Sequence, residues 1–281
     1  LTIAYERLGD PGAPPVLLIM GLAAQLVSWP DGFCMELVGR GLHVIRFDNR
    51  DAGASTHVAG TPDFRAALAG DLSSAAYTLS DMAADTVGLL DALGLAKVHF
   101  VGASMGGFIA QMIAIEHPDR MRSLTSIMSS TGDPAVGQPH PVGMQVFSGG
   151  SPTSREDAIE RARRNAELVG SPGYPKDLDA IGARAAVAYD RGFDVLGIVR
   201  QAVAVIATGD RTQRLRELRV PTLVIHGTAD VMMDVSGGRA TAAAIPGTEL
   251  VLIEGMSHDL PAPVWPEIAS RIAALVARAD A

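Results

Sequence analysis

Short, nearly unbroken apolar runs alternate with helix-spaced ones through the first half of this chain. Residues 16–20, 43–47, 98–103 and 124–128 concentrate β-branched and aromatic side chains, the pattern of strands buried on both faces. Between them, residues 33–38 and 82–93 repeat apolar side chains at helical spacing. Ser80 is placed to cap the second of these helices, Asp81 to sit in its first turn and Gly94 to close it. Buried strands alternating with helices predict an α/β protein built on a doubly wound, mostly parallel sheet.

From about Gly132 to Arg216 the strand signal stops. This stretch is rich in Gly, Pro and charge, with amphipathic helical patterns at residues 156–168 and 181–189, and it reads as an inserted helical cap. Strand runs resume at residues 222–226 and 249–253, separated by a helix near 238–244 and followed by a last helix over 265–277. The expected organisation is therefore a core of residues 1–131 and 217–281, interrupted by a cap of residues 132–216.

With 281 residues, 48% of them apolar and 19% charged, the chain can bury a large core and does not have a disordered composition. A net charge of −8 leaves no basic stripe for phosphates, so neither nucleic acid nor an anionic membrane is an expected partner. No apolar run reaches the roughly 18 residues of a membrane span, and no basic segment leads into an apolar stretch and cleavage site. Cys34 is the only cysteine, which excludes an internal disulfide, suits a reducing compartment and reads as a buried structural thiol. The cytoplasm is the default expectation.

In doubly wound sheets the reacting groups gather beyond the carboxyl ends of the strands. Three polar residues stand there: Ser104, Asp230 and His258. Ser104 lies in VHFVGASMGG, between a strand-like run and an apolar helical pattern that stops at His117-Pro118. The pattern G-x-S-x-G is common by chance, but this context makes it a nucleophile elbow, with Gly102 and Gly106 where bulk has no room. Asp230 follows its strand in VIHGTAD and His258 follows the next in IEGMSH, giving the chain order Ser, Asp, His. A serine hydroxyl needs a base to take its proton during attack, and that base needs a carboxylate to hold its tautomer and orientation. The plainer readings are a Gly-rich turn at Ser104, a turn residue at Asp230 and a loop histidine at His258, with Asp133 as a rival acid. An oxyanion hole would draw on the backbone N–H groups of Met105 and Leu22, with Gly21 permitting the bend between strand and Leu22.

These motifs resemble those of the α/β-hydrolases over nearly the whole chain apart from the cap. The segments MGLAAQLVSWPDGF, GLHVIRFDNRDAGAST and GASMGG are similar to the aclacinomycin methylesterase branch, which cleaves methyl esters of polyketides. Where the family usually carries His-Gly, this chain has Met20-Gly21, which removes an imidazole from the oxyanion region but keeps the backbone donor. The resemblance also places the loop over residues 48–55 beside the active site, with Asp48, Arg50 and Asp51 bracing it. His226 and His99 read as packed histidines, and no metal-ligand spacing is present.

The implied protein is a cofactor-free serine esterase acting through an acyl-enzyme on a mostly apolar small molecule, with Met20, Met128, Met232 and Met256 as candidate pocket walls. Carbon–carbon bond hydrolysis, enol-lactone opening and perhydrolysis use the same triad, and a non-catalytic ligand receptor would keep the same fold.

Overall fold

The computed structural model describes residues 1–147, 150 and 152–281. Seven strands, β1 (Tyr5–Leu8), β2 (Pro15–Ile19), β3 (His43–Phe47), β4 (Val98–Ala103), β5 (Met121–Ile127), β6 (Thr222–Gly227) and β7 (Glu249–Ile253), form one sheet in the order β1-β3-β2-β4-β5-β6-β7. Only β1 runs antiparallel to its neighbour. This edge strand is absent from the sequence reading. It is four residues long, and its side chains alternate between exposed and half-buried, so it lacks the all-apolar signature of the inner strands.

The first half contributes α1 (Asp31–Val38), α2 (Phe64–Leu68), α3 (Leu79–Ala92) and α4 (Met105–Glu116). The excursion between β5 and β6 contains α5 (Pro141–Met144), α6 (Arg155–Val169), α7 (Leu178–Asp190), α8 (Val195–Thr208) and α9 (Thr212–Leu215). The chain ends with α10 (Ser236–Ala244) before β7 and α11 (Trp265–Asp280) after it. Because successive strand side chains point to opposite faces, β2 feeds two cores at once. Leu17 and Ile19 join the cluster with Phe108 and Ile109 of α4 and Leu90 of α3, while Val16 and Leu18 join the cluster with Phe33 of α1 and Ile268 and Ile272 of α11. Each such side chain contributes about 1.5–3 kcal/mol on burial, which makes register on both faces costly to change.

The start of α3 corrects the reading of its cap. Thr78, not Ser80, precedes the helix, and the Asp81 carboxylate accepts from the Thr78 N–H at 2.8 Å and its hydroxyl at 2.9 Å. Ser80 lies inside the first turn and donates instead to Glu116 at 3.0 Å. Gly94 closes the helix in the left-handed region at φ 69°.

The helices between β5 and β6 form the cap. α6 buries none of its side chains, whereas α8 buries Arg200, Gln201, Val203 and Ala204 against the core. No described helix is long and apolar enough to cross a membrane.

Candidate active site

Ser104 is the residue between β4 and α4, and its backbone sits at φ 55°, ψ −123°, a conformation a non-glycine residue adopts only under constraint. Backbone hydrogen bonds on both sides hold it there. The Ser104 N–H donates to the Ile127 carbonyl of β5 at 3.0 Å, while its carbonyl accepts from the Gly107 N–H at 2.9 Å and the Ser129 hydroxyl at 3.0 Å. The flanking glycines are required by close approach: a Cβ on Gly102 would overlap the Gly106 carbonyl, and one on Gly106 would overlap the Ile19 carbonyl of β2.

His258 lies on the loop after β7 and Asp230 on the loop after β6. The imidazole Nε2 is 3.0 Å from Ser104 Oγ, and Nδ1 is 2.8 Å from Asp230 Oδ2. A carboxylate can only accept, so Nδ1 carries the proton and Nε2 turns its lone pair to the serine hydroxyl. Burial pushes the Asp230 carboxyl up, but the charge of His258 and hydrogen bonds from His226, His258 and the Met233 N–H outweigh it and hold this group well below the usual carboxylate range. Its other oxygen accepts from the Met232 and Met233 N–H groups, each at 2.9 Å. Asp133, the rival acid, instead accepts from the nearby Ala135 N–H at 2.8 Å.

The loop after β2 lies against the serine. A Cβ on Gly21 would stand 2.9 Å from Ser104 Cβ, so glycine is needed here for proximity. Gly21 opens a turn over residues 21–24, closed by the Ala24 N–H on its carbonyl at 3.3 Å, and the left-handed residue of that turn is Ala23, at φ 63°. Neither the Leu22 nor the Met105 N–H has a protein acceptor among the described residues, which leaves both free to receive an oxygen.

Asp48, Arg50 and Asp51 brace their loop as expected, and they also tie it to the cap. Asp48 accepts from the Leu26 N–H at 2.7 Å and from Arg191 at 2.5 Å, and Arg50 pairs with Asp85 at 2.5 Å. Arg200 of α8 forks onto both oxygens of Asp51 at 2.9 Å and reaches Asp194 at 2.7 Å. Asp51, His57 and Asp194 bring ligand atoms within 4.8 Å of one another, a cluster that sequence spacing does not reveal. Arg200 already donates to both of its carboxylates, so a guanidinium takes the place a cation would need.

The cap also reaches the histidine loop. Ser171 donates through its N–H (3.1 Å) and hydroxyl to Asp259, and its oxygen accepts from the Ser257 N–H at 2.8 Å. Burial raises the Asp259 carboxyl despite those bonds. Sequence reasoning missed Arg200, Gln201, Ser171 and Asp259. A polar Arg-Gln pair inside the otherwise apolar α8 is the one signal that points to buried partners.

Met20 and Met232 are partly exposed, whereas Met256 is 0% exposed and Met128 is 4% exposed, both packed in the core cluster with α11. Met128 and Met256 thus pack as core filling in this structure. His226 donates from Nε2 to the Met233 carbonyl at 2.8 Å, and His99 contacts Ser123 at 2.8 Å, so both are packed histidines. Cys34 is fully buried, and burial pushes its thiol up to about 11.

Residues 14–169 match the family model described as the alpha/beta hydrolase fold. The chain is 30% identical to rhodomycin D methylesterase DauP of Streptomyces sp. (strain C5), over 98% of its own length and 94% of that protein's. It is 29% identical to rhodomycin D methylesterase DnrP of Streptomyces peucetius, again over 98% and 94%. In fold it is similar to the crystal structure of the enol-lactonase from Burkholderia xenovorans LB400, at a TM-score of 0.72 and 23% identity, covering 99% of this chain and 95% of that one.

Proposed function

The chain belongs to the α/β-hydrolase fold family, and from that premise we propose that it is a serine esterase acting on carboxylic esters of mostly apolar small molecules. The observation that carries the proposal is the unbroken relay from Ser104 Oγ through His258 to Asp230, at 3.0 and 2.8 Å. Ser104 Oγ attacks the ester carbonyl while His258 Nε2 takes its proton. The carbonyl electrons move onto oxygen, where the Leu22 and Met105 N–H groups receive the negative charge. The intermediate collapses, the alkoxide leaves with the proton from His258, and an ester of Ser104 remains. Water then attacks that ester, again giving its proton to His258, and the acid departs as the serine is restored. No step calls for a cofactor or a metal.

The similarity to two methylesterases favours a methyl ester as the bond cleaved. Residues 132–216 act as the cap over this site, with Met20 and Met232 on its apolar walls. The test is turnover of a p-nitrophenyl ester and of a panel of aromatic methyl esters. Ser104→Ala is expected to abolish turnover of both while leaving the thermal unfolding curve in place. Undiminished hydrolysis by this variant overturns the proposal.

A further inference from the structure

The turn between α6 and α7, residues 170–177, lies across the loop that carries His258. Gly173 and Gly255 meet backbone to backbone: the Gly173 N–H donates to the Gly255 carbonyl at 3.0 Å, and a Cβ on Gly173 would stand 2.9 Å from Gly255 Cα. Tyr174 donates its hydroxyl to the Glu254 carbonyl at 3.1 Å. Pro172 and Pro175 stiffen this turn, and Asp177 joins it to α7 by accepting from the Ala180 N–H at 2.9 Å.

Past Gly255 the histidine loop is anchored to the core at two carbonyls. That of Met256 accepts from the Ala229 N–H at 3.0 Å, and that of Leu260 accepts from Trp265 Nε1 at 2.8 Å. Between these anchors stand Ser257, His258 and Asp259. Apart from those of the imidazole ring, every hydrogen bond these three residues make among the described residues is to Ser171. The Ser257 N–H donates to Ser171 Oγ at 2.8 Å, the Ser171 N–H donates to Asp259 Oδ1 at 3.1 Å, and the Ser171 hydroxyl donates to that same oxygen. Ser171 is 1% exposed, and its hydroxyl faces one donor and one acceptor, both of which it satisfies.

The bond from Nδ1 to Asp230 orients the imidazole, but the main chain from which the ring hangs is held on one side through Ser257 and on the other through Asp259, and both holds come from one side chain of the cap. We propose that Ser171 is a positioning residue for the base: by bridging Ser257 and Asp259 it fixes the His258 Cα where Nε2 meets Ser104 Oγ at 3.0 Å. Seating of the cap and alignment of the base are then a single event, so a substrate that lifts this turn meets a poorly placed imidazole until the turn closes again. This inference rests on the serine-esterase reading above.

The test begins with Ser171→Ala, which removes the hydroxyl and leaves the buried Ser257 N–H without an acceptor. On an ester that the unaltered protein hydrolyses, this variant is expected to lose between about ten- and a hundredfold in kcat, the upper figure being the cost of about an ångström of misplacement. KM should stay within about threefold, since a contact that matters only in the transition state does not alter ground-state binding. The rate at which a small fluorophosphonate labels Ser104 depends on the base and not on a seated ester, and it should fall by a similar factor. Asp259→Ala should lower kcat as well, whereas Asp259→Asn keeps an oxygen for Ser171 and should retain at least about threefold more than Asp259→Ala. Because Ser171 and Asp259 act through one contact, the Ser171→Ala, Asp259→Ala double variant should lose less than the product of the two single losses. A normal kcat in Ser171→Ala, a change confined to KM, labelling at the normal rate, an Asn variant no better than Ala at position 259, or losses that simply multiply would each overturn the proposal. So would a Ser171→Ala protein that fails to fold, which would assign Ser171 to holding the cap in place. Absence of turnover by the unaltered protein, or turnover surviving in Ser104→Ala, refutes instead the reading on which the proposal rests.

Discussion

Replacing Asp230 with Asn removes one acceptor from a group that every neighbour addresses as an acceptor. Oδ2 receives His258 Nδ1 at 2.8 Å and faces His226 Nε2 at 3.4 Å, and Oδ1 receives the Met232 and Met233 N–H groups at 2.9 Å each. An amide has only one oxygen. If it turns that oxygen to the two backbone donors, its NH2 faces His258 and draws the imidazole into the tautomer with the proton on Nε2, which cannot take a proton from Ser104. If it turns the other way, two buried N–H groups lose their acceptor. A buried N–H left without an acceptor costs about 1–3 kcal/mol, so orphaning two costs about 2 kcal/mol or more and the first arrangement prevails. The wrong tautomer costs serine hydrolases of this type about 10⁴ in kcat, or about 5.4 kcal/mol at 1.36 kcal/mol per tenfold. The assay is kcat on a saturating p-nitrophenyl ester, with urea unfolding to show that the variant is native. A folded Asp230→Asn protein within tenfold of the normal kcat would refute the role given to this carboxylate.

Other consequences are as direct. Gly106→Ala drives a methyl group into the Ile19 carbonyl, an obstacle of backbone and not of flexible side chain. Its cost should reach about 3 kcal/mol or more in urea unfolding, and a loss under 1 kcal/mol would contradict the packing described. Burial raises the Asp259 carboxyl, so its contribution to stability is full below the ordinary carboxylate pKa and is lost as pH rises through the raised value. Asp259→Asn keeps an oxygen for Ser171 and removes the buried charge, so it should raise the melting temperature near pH 8 and lose that advantage towards about pH 4. Equal melting temperatures at both pH values would tell against it. With its thiol pushed up to about 11, native Cys34 should resist iodoacetamide near pH 8, where about a thousandth is thiolate, and react only as the protein unfolds. Rapid alkylation of the folded protein would show the side chain to be accessible.

The inner strands were legible because burial on both faces demands apolar runs, and the serine, aspartate and histidine were legible because each follows such a run. The edge strand β1 and the short α2 carry no comparable signal, since neither buries a continuous face. Arg200 and Gln201 of α8 were hidden for another reason: Asp51 and the Arg50 carbonyl, which they hold, are more than 140 residues away in sequence. The left-handed residue of the turn that Gly21 opens is Ala23 and not a glycine, so no sequence signal marks it, while Gly21 itself is needed for its close approach to Ser104. That Met128 and Met256 pack into the core was not legible, because a side chain near a strand end can point down into the core as readily as out of it.

The relay itself is tested most directly by finding where a fluorophosphonate attaches. Mass mapping after brief labelling should place a single adduct on Ser104, absent from Ser104→Ala and formed far more slowly in His258→Ala. An adduct on another residue, or labelling of Ser104 at the normal rate without His258, would contradict the account.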